Sequence, residues 1–255
     1  MAWIQIHGES SRIGMNIAFH ALIPQQDDSG AHGPKQNGPY KVIYLLHGYS
    51  DNSAHWLRMT AIERETHTKP IAIIMPETDN AFWLNTHTQW NYFDYLTQEL
   101  PDLCQKYFPI SDKKEDTMIS GFSMGGYGAL NAALNCPDKF GYCAAFAPAI
   151  ELWTMYERER PLKAPWILGD KDAFIASMRN PYIALEARRA AGDMPKTMIT
   201  VGKEDGLKPQ SDRFTEKAAQ LGLDIAYQPV DGRHDWYFAE SAFLRALDWF
   251  EKEGK

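Results

Sequence analysis

The chain predicts an α/β fold: a mostly parallel, doubly wound sheet with helices on both faces. Three observations lead there. Short apolar runs rich in β-branched residues alternate with helix-forming segments, the pattern of strand–helix–strand units. The 255 residues, 44% of them hydrophobic, suffice for one large core, and no low-complexity linker or internal repeat divides them. One pentapeptide, Gly121-Phe122-Ser123-Met124-Gly125, falls where a strand turns directly into a helix. Residues 1–255 are therefore read as a single domain, interrupted at residues 150–195.

The elements follow in order. Residues 3–8 and 16–23 read as two early antiparallel strands. Residues 27–39, rich in Gly, Pro and Asp, form a surface loop. Lys41-Val42-Ile43-Tyr44-Leu45-Leu46 is the most strand-like run of the chain, and residues 71–75 form another buried strand. Residues 92–108 predict a helix with Asn91 as N-cap. Residues 117–120 are a short buried strand, and residues 127–134 a helix built on Ala129, Leu130, Ala132 and Ala133. Residues 142–147, 197–201 and 225–230 are the remaining strands. Phe238, Ala242, Leu244, Leu247 and Phe250 recur at helical spacing in the last segment. Right-handed crossovers then place helices on both faces of the sheet.

Residues 150–195 break this alternation and carry Trp153, Tyr156, Trp166, Phe174 and Tyr182 among charges. They form either a small cap that offers aromatic walls to a ligand or helices packed on the sheet edge. The cap is the preferred reading, with Trp153, Trp166 and, beyond it, Trp236 as candidate pocket residues. Trp83 and Trp90 are open to either pocket or core.

G-x-S-x-G by itself arises by chance in about one chain in ten of this size. Its strand–turn–helix setting makes it a nucleophile elbow, with Ser123 as candidate nucleophile. The flanking glycines let the backbone pass close to itself, and the start of the new helix favours negative charge. In the α/β-hydrolase fold, serine, acid and histidine follow in that order. His234 is the only histidine after Ser123 and lies between the last strand and the last helix. The acid falls on the loop Gly202-Lys203-Glu204-Asp205-Gly206. Asp205 is preferred because it is short and precedes a turn glycine; Glu204 stays open. Asp170 and Asp172 belong to the insertion, and Asp235 adjoins the histidine too closely. The turn His47-Gly48-Tyr49 after the strand at Lys41 supplies an oxyanion donor, the Tyr49 N–H. The Met124 N–H is the second. His47 then holds the turn.

The run Val42 to Ser50, with Asp51, Asn52 and Trp56-Leu57-Arg58 behind it, resembles the esterase-D-like branch of the α/β-hydrolases. The resemblance continues through Asn91 to Pro101, Gly121 to Gly128, Gly202 to Leu207 and Gly232 to Trp236. It is nearest the bacterial tributyrin-type esterases, whose relatives include S-formylglutathione hydrolases, feruloyl esterases and mycolyltransferases. It implies a serine carboxylesterase without cofactor, acting on short acyl esters, acetyl to butyryl. It also implies that the second acid of the Glu-Asp pair, Asp205, is the triad member. Thioester hydrolysis of the S-formylglutathione type and acyl transfer to a sugar are the neighbouring alternatives; a non-catalytic binding protein is disfavoured by the complete triad. Members of such families often self-associate.

The remaining composition bounds the partners. A net charge of −7 argues against nucleic acid or an anionic membrane surface. Cys104, Cys136 and Cys143 form no disulfide framework and fit a reducing, cytoplasmic setting. No apolar run approaches the roughly 20 residues of a membrane span, and the first residues lack the pattern of a signal peptide. His47, His55, His67 and His87 show no metal-ligand spacing.

Overall fold

The computed structural model describes residues 1–157 and 163–253. Eight strands form one sheet: β1 (Ala2–Ser10), β2 (Met15–Ile23), β3 (Lys41–Leu46), β4 (Ile71–Pro76), β5 (Thr117–Phe122), β6 (Tyr142–Phe146), β7 (Lys196–Gly202) and β8 (Ile225–Val230). Their spatial order is β1-β2-β4-β3-β5-β6-β7-β8. β1 pairs antiparallel with β2, and β2 with β4. From β4 onward every pairing is parallel. This is the α/β-hydrolase fold.

Both faces of the sheet are buried from β3 to β7, which is why these central strands are apolar throughout rather than alternating. In β4, Ala72 and Ile74 join the core on one face, and Ile71, Ile73 and Met75 the core on the other. The first core includes the helix Met124–Asn135, whose Ala129, Leu130, Ala132 and Ala133 are almost wholly buried. The second lies under the last helix, Trp236–Glu253, through Phe238, Ala242, Phe243 and Leu247.

Asn91 does not cap the helix predicted at residues 92–108. Its side chain makes no capping bond, and Asn85 Oδ1, from the preceding loop, accepts the Asp94 N–H at 3.1 Å instead. The helix is also divided: Tyr92–Asp94, a π-helical turn Tyr95–Glu99, then Leu100–Tyr107. Ser10 at the end of β1 and Ser11 in the turn after it donate to the Glu99 carboxylate and bind the antiparallel edge to this helix.

Within 150–195 lie a 3-10 turn Leu152–Tyr156 and helices Ala164–Leu168, Lys171–Ile175 and Pro181–Ala191; residues 158–162 lie outside the described residues. Phe174 is fully buried, and Trp153 packs on Tyr182, ring centroids 6.0 Å apart. Tyr127, on the helix after β5, donates its hydroxyl to Arg179 O at 2.6 Å, tying this segment to the elbow helix.

Candidate active site

The loops that end β3, β5, β7 and β8 meet at the carboxyl edge of the sheet, where open α/β sheets build their sites. The loop after β5 is the tightest. Ser123 has φ 58° and ψ −110°, a sparsely populated conformation that costs about 1–3 kcal/mol. Its N–H donates to Phe146 O at 2.8 Å, and its carbonyl accepts from Tyr127 N at 3.1 Å and Ala149 N at 3.2 Å. These bonds hold the strained turn. The glycines are obligatory for a different reason. A Cβ on Gly125 would stand 2.4 Å from Leu46 O, and one on Gly121 2.6 Å from Gly125 C. Only bare backbone fits where the elbow crosses the end of β3.

The loops after β7 and β8 are locked together by main-chain bonds. Lys203 N donates to Val230 O at 2.7 Å, and Glu204 N to Gly232 O at 3.1 Å. A Cβ on Gly202 would meet Gly232 O at 2.4 Å. This close approach delivers Asp205 to His234. Asp205 Oδ2 lies 2.7 Å from His234 Nδ1, and Asp205 Oδ1 accepts Leu207 N–H at 2.8 Å. His234 Nε2 lies 2.9 Å from Ser123 Oγ. A carboxylate only accepts, so Nδ1 carries the ring hydrogen and Nε2 is left to accept from the serine. The Asp205 side chain is 1% exposed and that of His234 36%. The Phe122 ring lies against the imidazole, centroids 4.6 Å apart. Glu204 turns outward and pairs with Arg233 at 2.8 Å. The structure thus brings Ser123, His234 and Asp205 into one hydrogen-bonded line and leaves Glu204 out of it.

Met124 is the first residue of the helix after the elbow, so its N–H has no acceptor within that helix. Tyr49 follows the glycine of the turn after β3. Beneath that turn His47 is buried, with Nε2 3.0 Å from Glu77 Oε1 and Nδ1 2.8 Å from Gly48 O. Burial pushes the Glu77 carboxyl up, but bonds from His47 and Ser53 outweigh it and hold Glu77 below the usual carboxylate range. Burial pushes the nearby Asp51 carboxyl up, against the opposing pull of His55 and His47.

A cavity of about 560 Å³ opens beside Tyr49 and is walled by Asp79, Asn80, Trp90, Lys163 and Trp166, among others. Tyr49 is one of its walls and Ser123 is not. Of the aromatic residues singled out from the sequence, Trp166 faces this cavity, 65% exposed. Trp153 does not, because it packs on Tyr182 over the core. Trp236 does not either: it stacks on His55, centroids 5.4 Å apart, and meets Phe122 at 5.8 Å. Trp90 is a wall, whereas Trp83 is fully buried against His47. Asp79 and Asn80 escaped the sequence reading. Their signal was a polar pair just past the carboxyl end of a parallel strand, where ligand-facing loops begin. Among the described residues no group of three or more His, Cys, Asp or Glu is arranged to hold a metal ion.

A family model described as "Putative esterase" matches residues 10–250. A curated acetyl esterase of Caldicellulosiruptor saccharolyticus is 26% identical over 99% of each chain. Among solved structures, the chain is similar to a substrate-bound Staphylococcus aureus protein titled fluorophosphonate-binding serine hydrolase F, with TM-score 0.89, 29% identity and 98% of both chains covered. It is also similar to an S-formylglutathione hydrolase of Staphylococcus aureus, with TM-score 0.87, 28% identity and 98% of both chains covered.

Proposed function

The chain belongs to the esterase family, and on that premise we propose that this serine ester hydrolase cleaves short acyl esters, acetyl to butyryl, through Ser123, His234 and Asp205. The observation that carries the reading is the unbroken line Asp205–His234–Ser123, with contacts of 2.7 and 2.9 Å. Ser123 Oγ attacks the ester carbonyl while His234 Nε2 takes its proton. Asp205 orients the imidazole and stabilises its charged form. The N–H groups of Tyr49 and Met124 hold the oxyanion, each worth roughly 3–4 kcal/mol in comparable sites. His234 returns the proton to the leaving alcohol, and water, activated by the same imidazole, releases the acid.

The similarity to an acetyl esterase supports the short acyl group. The cavity beside Tyr49 receives the rest of the ester, with Trp90 and Trp166 as apolar walls, and the segment 150–195 acts as its cap. No helix among the described residues is long and apolar enough to cross a membrane. The free thiols Cys104, Cys136 and Cys143 support a reducing, cytoplasmic setting.

The test is a p-nitrophenyl ester series, acetate through octanoate, on wild type and Ser123→Ala. Turnover that falls with chain length, and that drops by about 10⁶ in the variant, is expected. A variant keeping a tenth of wild-type turnover would sink the assignment. A second reading, thioester hydrolysis, is favoured by the similarity to an S-formylglutathione hydrolase. It requires a strong preference for S-formylglutathione over p-nitrophenyl acetate.

A further inference from the structure

His47 is 1% exposed, and both its ring nitrogens face oxygen acceptors. Nδ1 lies 2.8 Å from Gly48 O and Nε2 3.0 Å from Glu77 Oε1. A carbonyl only accepts, so Nδ1 carries a hydrogen and donates to Gly48 O. The Thr78 N–H is shared between His47 Nε2 at 3.2 Å and Glu77 Oε1 at 3.3 Å. Glu77 Oε2 accepts the Ser53 N–H at 2.8 Å. One carboxylate at the end of β4 therefore grips both ends of the 47–53 loop.

The peptide unit between Gly48 and Tyr49 is trans. Its C=O and N–H lie in one rigid plane and point in opposite directions. A donor that holds Gly48 O therefore also sets the direction of the Tyr49 N–H. Without such a donor, glycine's backbone freedom would let the plane swing. Gly48 O receives two donors, His47 Nδ1 at 2.8 Å and, more weakly, Asp51 N at 3.4 Å. We infer that His47, anchored by Glu77, is a positioning residue that aims the Tyr49 N–H at the oxyanion by holding the carbonyl of the same peptide unit. This rests on the proposed role of Tyr49 in the oxyanion hole.

His47→Asn and His47→Leu test it. The two side chains have nearly the same shape and both sever the contact with Glu77, but only the Asn amide can donate to Gly48 O. The readouts are kcat and KM for p-nitrophenyl acetate and the inhibition constant of an aryl trifluoromethyl ketone, whose tetrahedral adduct carries the oxyanion. Losing a whole oxyanion donor costs about 10²–10³ in kcat, so His47→Asn is expected to exceed His47→Leu by about tenfold or more. KM should match in both, and the ketone should bind His47→Leu more weakly in step with kcat. A purely structural role would lower Tm in both variants and leave the ketone's affinity relative to KM as in wild type. Equal kcat and equal ketone affinity in the two variants would overturn the inference. Should neither fold, Glu77→Gln decides: weaker ketone binding at unchanged KM supports it, and unchanged kcat and ketone binding overturn it. Ser123→Ala, run alongside, separates the two levels. If that variant stays active, the esterase mechanism and this inference both fall. If it is inactive while His47→Asn and His47→Leu are alike, the inference alone fails.

Discussion

Asp205→Asn is the sharpest perturbation of the proposed triad, because the two carboxylate oxygens have different partners. Oδ1 accepts Leu207 N–H at 2.8 Å and Oδ2 accepts from His234 Nδ1 at 2.7 Å. An amide offers one oxygen and one NH2. Leu207 N–H can only donate, so the oxygen stays with it and the NH2 turns to His234. That NH2 donates to Nδ1 and moves the ring hydrogen to Nε2, which faces Ser123 Oγ at 2.9 Å. A protonated Nε2 cannot accept the serine proton. The reverse amide orientation would set the NH2 against Leu207 N–H at a site where the side chain is 1% exposed. Leaving such a donor unsatisfied costs about 1–3 kcal/mol. The same swap in a serine protease triad lowers turnover by about 10⁴, or about 5.4 kcal/mol at 1.36 kcal/mol per decade. The assay is kcat on p-nitrophenyl acetate, with circular dichroism to verify the fold. Glu204→Gln is the comparison: Glu204 is 64% exposed and paired with Arg233, so its kcat should stay within about twofold of wild type. The reasoning is refuted if Asp205→Asn keeps more than about 1% of wild-type kcat, or if Glu204→Gln loses as much.

Gly125→Ala would push a Cβ to 2.4 Å from Leu46 O and 2.7 Å from His47 O, and backbone cannot yield as a side chain does. A loss of about 2 kcal/mol or more is expected from urea midpoints. Gly8→Ala, with open space around it, should stay within about 0.5 kcal/mol. The Glu99 carboxyl is pushed up by burial but held below its ordinary range by bonds from Ser10, Ser11 and Arg12. Its contribution is therefore fully present above the unfolded carboxylate pKa, about 4.3, and is lost as pH falls through the lower folded value. Urea midpoints of wild type and Glu99→Gln should differ at pH 7 and converge toward pH 3. Trp166→Ala, at an exposed cavity wall, should leave stability within about 0.5 kcal/mol while raising KM for the longer esters more than for acetate. Equal KM changes along the series would remove Trp166 from the pocket.

By itself the sequence determined the features that are local. The elbow was legible because strand, glycine, serine, glycine and helix are contiguous, and the geometry they require is steric. The strands were legible because a sheet covered on both faces leaves runs such as Ile71 to Met75 apolar throughout. The chain order of Ser123, Asp205 and His234 was legible because the connections of this fold bring successive loops to one edge of the sheet. Tertiary structure alone decided what depends on where neighbouring side chains point. Glu204 and Asp205 are adjacent, and only the close crossing of Gly202 with Gly232 turns the aspartate inward and the glutamate toward Arg233. Trp83 and Trp90 looked equivalent, yet one fills the space over Gly128 and the other walls the cavity. Trp153 and Trp166 parted in the same way. Asn91 has the chemistry of a cap, but Asn85, distant enough to approach from outside, took the bond. Residue type states what a side chain can do; the packing of segments far apart in the chain decides which neighbour it does it to.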